Sequence, residues 1–309
     1  MSAKWRRVRR SEPCPICGHP DFCTIANSGD AVHCMRVESD KPSSAKIGGW
    51  IHRYSGKPIV GRLGGLPGRQ DDEKLSQAEV ERLVEQFCQH PSRDVYLRTI
   101  STSWGVPMAT LKRMRIGVGV DDRGETFVSF PCVDEQYRPI GIIRRYRNGR
   151  KLTYKGTRNA GLFLAPGWEH GPGPVLIVEG ASDTLVAYAN GLAAIGRPSN
   201  LGGCDLVASV LERCGVVARP IVVIGENDRK PEKVGTVASC PTDCPGCNWC
   251  FPGFYGARSC AERLNRFGAV VMMPPDGVKD LREWSTKSSC LAADVIVNVR
   301  RAQFERVGA

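Results

Sequence analysis

The chemistry this chain can do rests on three acids and two groups of cysteines. Pro174-Val175-Leu176-Ile177-Val178-Glu179-Gly180 is a short apolar run that stops at an acid and a glycine. Pro220-Ile221-Val222-Val223-Ile224-Gly225 leads directly into Glu226-Asn227-Asp228. Runs this short, with β-branched residues throughout, predict interior parallel strands. Leu192–Gly196 predicts another strand between them, and 181–190 a helix. Strands alternating with helices imply a parallel sheet, and ligands gather outside the carboxyl ends of such strands. Glu179, Glu226 and Asp228 are therefore expected at one sheet margin. An extended chain sends Glu226 and Asp228 to the same side. Carboxylates gathered without a cation repel, and some must take up protons. Magnesium or manganese removes that penalty with carboxylate, water and phosphate oxygens as ligands. Two such ions can stabilise both oxygens of a phosphoryl displacement. The plainer reading is a set of acids that cap the following helices.

The cysteines fall into two clusters among fourteen in all. Cys14-Pro15-Ile16-Cys17-Gly18 is a knuckle that lets two thiolates meet one ion, and Cys23 and Cys34 complete a closed tetrahedral zinc site. His19 and His33 compete for its last position. Cys240, Cys244, Cys247 and Cys250 form a tighter group with a second zinc, and Cys260 is an alternative ligand there. This second zinc is expected to pin a loop beside the acids.

A formal net charge of +11 favours a polyanionic partner. The cations concentrate in 144–159, which runs Arg144-Arg145-Tyr146-Arg147-Asn148-Gly149-Arg150-Lys151 and on to Lys155, Arg158 and Asn159. Asn148-Gly149 is a hairpin turn signal. A basic face with Tyr146 and Tyr154 suits a single strand of nucleic acid or nucleoside triphosphates, and the plain alternative is a solvated hairpin. Strands are also predicted over 126–131 and 139–143. The basic start at Lys4–Arg10 lacks the apolar centre of a signal peptide, and no run is long enough to span a bilayer. The expectation is a cytoplasmic protein with reduced thiols and no membrane partner.

The elements divide the chain into four stretches. Residues 1–55 hold the first cysteine group and end near Trp50 and His52, which either fill a small core or stack on bases. Glycine- and proline-rich 56–72 reads as a linker. Residues 73–168 open with a helix capped by Ser76 and Glu79, with Val80, Leu83, Val84 and Phe87 in one stripe. Two short helices around Gly105 precede the basic strands. Residues 169–309 carry the acids, with the cysteine-rich insertion at 229–255. The class is α/β: a zinc ribbon, a mixed α+β subdomain and a domain with a central parallel sheet.

Val178-Glu179-Gly180 with Asp183, and then Glu226-Asn227-Asp228, resemble the acidic motifs of TOPRIM domains, shared by primases, topoisomerases and some nucleases. Pro275-Asp276-Gly277-Val278-Lys279-Asp280-Leu281-Arg282-Glu283-Trp284 resembles the ending of phage and plasmid primase-like members. The first cysteine group is similar to the zinc ribbons that precede those cores and help select the start sequence. Two departures stand out: Glu226 occupies a position usually held by Asp, and the glycine expected after the pair is absent. The resemblance implies a DNA primase that makes short RNA primers on single-stranded DNA from ribonucleoside triphosphates. It implies catalytic roles for Glu179, Asp183, Glu226 and Asp228, with Glu179 acting as ligand or as base. It further implies template or nucleotide contacts for Arg144, Arg145, Lys155, Arg158 and Asn159. Asp276 and Asp280 stand as outer acids, and Lys279 as a surface lysine or a phosphate contact. No P-loop motif occurs, so an unwinding helicase would be a separate chain. The rival readings are a TOPRIM nuclease and a non-catalytic zinc adaptor that binds single strands.

Overall fold

The computed structural model describes residues 5–9, 11–37, 39, 41, 43, 48–53, 74–158, 160–171, 173–215, 219–235 and 240–307, the last eight of these by backbone only. The expected linker 56–72 and Asn159 lie outside the described residues. The chain divides into two compact units, 1–71 and 72–309.

The first unit is an antiparallel sheet in chain order: β1 (Trp5–Arg7), β2 (Thr24–Ala26), β3 (Ala31–Cys34) and β4 (Trp50–Arg53). Its core consists of Val8, Ile25 and Val32 packed with Cys14, Cys23 and Cys34. Three aliphatic side chains bury too little surface to hold a fold, so the sulfurs and what they bind must supply the rest. Trp50 is half-buried, and His52 Nε2 donates to the Val37 carbonyl at 3.0 Å.

The second unit opens with α1 (Gln77–Cys88), α2 (Arg93–Trp104) and α3 (Met108–Arg113). The expected capping box is present: Ser76 N–H donates to Glu79 Oε2 at 2.7 Å and Glu79 N–H to Ser76 Oγ at 3.4 Å. Gly105, at φ +65°, ends α2. An antiparallel sheet follows, formed by β5 (Gly117–Val120), β6 (Thr126–Val133), β7 (Pro139–Tyr146) and β8 (Lys151–Thr153). Val80, Val84 and Phe87 of α1 pack on Phe127, Ile142 and Tyr146 of this sheet.

The remaining elements are β9 (Phe163–Leu164), β10 (Val175–Glu179), α4 (Gly180–Ala189), β11 (Ala193–Arg197), α5 (Cys204–Arg213), β12 (Ile221–Ile224), α6 (Pro252–Arg263), β13 (Val270–Met272), α7 (Leu281–Lys287) and α8 (Leu291–Val307). Their sheet has the order β13-β12-β10-β11-β9, parallel except for β9 at the edge. The fold is thus the mixed α/β arrangement expected, with the acid-bearing β10 and β12 adjacent. Elements β5, β9, α5 and α7 carry no strong sequence signal and are seen only in the structure. One hydrophobic core runs from Leu97, Trp104 and Phe130 through Leu176, Ile177 and Val223, so 73–168 and 169–309 are welded together. Among the described residues no helix is long and apolar enough to cross a membrane.

Candidate active site and metal centres

The turn after β10 depends on Gly180, whose φ of +79° disfavours any residue with a Cβ. It releases Glu179 from the strand end and starts α4, where the Thr184 hydroxyl donates to the Gly180 carbonyl at 2.8 Å. Register pairs Ile177 of β10 with Val223 of β12, so the two strands end side by side. Glu179 and Glu226 leave at that shared margin. Asn227 turns the other way. Its side-chain amide donates to the carbonyls of Pro274 (2.9 Å), Pro275 (3.2 Å) and Val278 (2.7 Å), and its N–H to Lys279 O (2.7 Å). This staple holds 226–228 in place from behind. On the other side, Asp228 Oδ1 accepts from the Gly253 N–H at 2.8 Å.

A cavity of about 440 Å³ opens in front of these strands. Glu179, Asp183, Glu226 and Asp280 line it together with Arg145, Lys151, Lys279 and Arg282, and Trp104 closes one side. Asp228 is not a lining residue, but its charge reaches both glutamates. Burial pushes Glu226 up to about 7, repulsion from Glu179 adds to it, and Lys279 Nζ at 3.6 Å from Oε2 opposes. Burial raises Glu179 as well, while Arg197 and Lys151 pull it down. Asp183, only 4% exposed, is held well above the carboxylate range by burial and then by Asp280 and Glu226. The cations show the converse: burial and then the neighbouring Arg145 lower Lys151, and burial and then Arg282 lower Arg145.

This pattern tests the fit of a divalent ion. Acids raised by burial and then by one another gain from a cation, and cations lowered by burial and then by one another gain from a polyanion. Among the described residues no three carboxylates bring oxygens within 4.8 Å of one another. The set is open, as suits an ion that keeps waters and substrate oxygens.

Strand alternation separates the two arginines of β7. Arg145 faces the cavity and stacks over Trp104 at 5.2 Å, with Arg282 against the same ring at 5.8 Å. Arg144 faces the opposite side, among the rings of Phe127 (5.6 Å), Tyr146 (5.9 Å) and Tyr154 (5.3 Å), and donates to Thr153 O at 3.2 Å. The expected basic face is therefore split, because adjacent residues on a strand point apart and aromatic neighbours hold the Arg144 guanidinium by cation–π attraction. Tyr146 and Tyr154 belong to that aromatic cluster and do not line the cavity. Lys155 and Arg158 are exposed and do not line it either.

Both cysteine quartets close. The sulfurs of Cys14, Cys17, Cys23 and Cys34 lie within 4.8 Å of one another, as do those of Cys240, Cys244, Cys247 and Cys250. In the first quartet the N–H groups of Met35, Arg36 and Val37 each donate to a cysteine sulfur at 3.4 Å. Such donors stabilise thiolates, and four converging sulfurs fit zinc. His33 is not a member: it turns away from its neighbour Cys34, and Nε2 donates to the Gly48 carbonyl at 2.6 Å. His19 stands outside the quartet too. Cys260 does not serve the second quartet, because its thiol is engaged with Cys204 of α5.

The sequence matches no protein-family model and no curated protein. Solved structures do match. A DnaG catalytic core aligns with a TM-score of 0.51 at 17% identity, covering 73% of this chain and 79% of that one. A DnaG primase catalytic domain bound to single-stranded DNA aligns with a TM-score of 0.50 at 16% identity, covering 73% and 80%. The fold is that of a DnaG-type primase core.

Sequence reasoning left several residues in and behind this cavity without a role, or with only an alternative one. Lys151 shares a strand face with Arg145 through the β7–β8 pairing, and that pairing was the available signal. Arg282 sits two residues after Asp280, which caps α7 by accepting from the Glu283 N–H at 2.8 Å. Lys279 is more than a surface lysine, since it lines the cavity and approaches Glu226. Arg197, almost fully buried, pairs in register with Glu179, and nothing in its local sequence marks it. Trp104 reads as an ordinary helix residue.

Proposed function

We propose that this chain is a primase-like nucleotidyltransferase of the TOPRIM type, making short RNA primers on single-stranded DNA. The observation that carries the reading is one cavity in which crowded acids face crowded cations. Glu179 and Glu226, with Asp228 behind them, are suited to hold magnesium or manganese. Such ions, when bound, stabilise the charge that develops on the transferring phosphoryl group. The chain's own residues do the rest. Arg145, Lys151, Lys279 and Arg282 bind triphosphate oxygens and orient them, and the buried ring of Trp104 holds the Arg145 and Arg282 guanidinium groups in place. Buried Asp183 accepts a hydrogen bond from the Leu281 backbone, which ties α4 to the start of α7. In the reaction the 3′-hydroxyl of one nucleotide attacks the α-phosphorus of the next, and pyrophosphate leaves. Alignment and charge stabilisation supply the acceleration.

The DnaG relative that binds single-stranded DNA supports the same partner for this chain. The net charge of +11 supports it as well. In the first zinc unit Phe22, 74% exposed, and Trp5 are available to stack on bases, consistent with a role in choosing where a primer starts.

The test is incubation with single-stranded DNA, labelled ribonucleoside triphosphates and manganese or magnesium. Short RNA supports the proposal. Shortened DNA supports a nuclease, and retention of DNA with no product supports a zinc adaptor. Asp228→Ala is expected to lower primer synthesis at least a hundredfold while DNA binding persists.

A further inference from the structure

The second cysteine quartet lies in the chain between the acid pair and α6, and a chain of three hydrogen bonds links it to α6 and to the segment that carries Asp228. Lys230, two residues beyond Asp228, donates its N–H to the carbonyl of the ligand Cys250 at 2.7 Å. Phe251 donates its N–H to the carbonyl of Cys247 at 2.8 Å, closing the quartet onto the start of α6. Gly253, three residues after Cys250, then donates its N–H to Asp228 Oδ1 at 2.8 Å.

The approach at Gly253 leaves no space for a side chain. A Cβ there would stand 2.5 Å from the Glu226 carbonyl oxygen, 2.7 Å from Glu226 Cβ and 2.9 Å from Asp228 Oδ1. The first turn of α6 therefore lies against both members of the acid pair. Asn200 holds the turn from outside, its Nδ2 donating to the Pro252 carbonyl at 3.4 Å and to Asn248 Oδ1 at 3.3 Å. Without an ion the quartet is four neighbouring thiols with no covalent link, and its loop has little apolar core of its own beyond Val234 and Phe251.

We infer that the second quartet binds zinc and that this zinc positions Asp228 for divalent-ion binding, through Cys250 and the Gly253 N–H. The coupling runs along short covalent and hydrogen-bonded connections. Zinc fixes the loop 240–250, the loop fixes the start of α6, and α6 aims one oxygen of Asp228. The other oxygen is left for the divalent ion. Asp228 is a metal ligand under the reading above, on which this inference rests, and Gly253 is a positioning residue. Loss of the quartet zinc lowers divalent-ion affinity without removing a carboxylate.

The experiment uses the full chain and two variants. Cys247→Ser opens the quartet, whereas Gly253→Ala keeps all four thiols and disturbs only the contact with the acids. Zinc content is measured by elemental analysis, and manganese affinity by electron paramagnetic resonance titration of free manganese. The parent chain is expected to carry two zinc ions. Cys247→Ser is expected to carry one and to bind manganese about tenfold more weakly. Gly253→Ala is expected to keep two zinc ions and to show a similar loss of manganese affinity, while single-stranded DNA binding by both variants stays near the parent value. One zinc in the parent chain overturns the inference. So does a Cys247→Ser protein that has lost its zinc yet binds manganese as the parent does. If the quartet variant fails to fold, unchanged manganese affinity in Gly253→Ala overturns it alone. A parent chain that binds manganese but makes no RNA sinks the primase reading and leaves the coupling intact.

Discussion

Glu226 shows how burial and charge set the behaviour of a single residue here. The fold raises it from 4.5 to about 7, which means that the folded protein favours its protonated form. Its contribution to stability is then complete below the ordinary carboxylate range and is lost as pH rises through about 7. The loss amounts to about 3 kcal/mol when neither magnesium nor manganese is bound. Thermal melting of the zinc-loaded protein, with no magnesium or manganese added, is expected to show a midpoint that falls between pH 5 and 8. Glu226→Gln flattens that fall, and manganese stabilises the parent more at pH 8 than at pH 5. A melting midpoint that rises across this range would contradict the assignment. Arg144 and Arg145 give a second contrast at this scale. Arg144→Ala removes a guanidinium packed among three rings and is expected to cost about 1–2 kcal/mol of stability. Its effect on nucleotide binding is expected to be small. Arg145→Ala is expected to leave stability nearly unchanged and to raise the KM for nucleotides about tenfold. Steady-state kinetics and thermal melting of the two variants separate the roles.

Among the elements, the β10–α4 turn matters most to the proposed chemistry. Gly180 has no atom within 4 Å of the position its Cβ would take, so a side chain there meets open space. The cost of Gly180→Ala is therefore conformational, about 1–2 kcal/mol for a residue forced to positive φ. Because the same turn aims Glu179, weaker manganese binding is expected alongside a melting midpoint a few degrees lower. A variant with normal metal affinity would show that Glu179 is aimed by its neighbours and not by the turn. The β10 and β12 strands and the capped α1 were readable in advance because each is encoded within about ten residues. Elements α5 and α7 were not, since α5 is entered from a glycine turn and α7 is a seven-residue helix held by Asp280 and buried Trp284.

For the whole molecule, the excess of cations has a measurable consequence. Single-strand binding through charge releases counterions, with a slope near −0.7 per phosphate contact in a plot of log affinity against log salt. If the cavity cations engage the strand or its triphosphate partner, a slope of about −2 to −3 is expected, reduced by about one contact in Lys151→Ala. A slope near zero would argue against a polyanionic ligand at this site. The amino-acid sequence alone marked the two cysteine quartets, whose members are near neighbours along the chain, and the acids that end two strands. It also determined the strand–helix alternation that brings β10 beside β12. Only the tertiary structure decided which cations face those acids and which are spent on aromatic packing. It alone brought Lys279 to Glu226, and Gly253 to Asp228 beside the second cysteine quartet. Those contacts join segments separated by some 25 to 50 residues, and their partners are chosen by packing and strand facing, which local spacing does not encode.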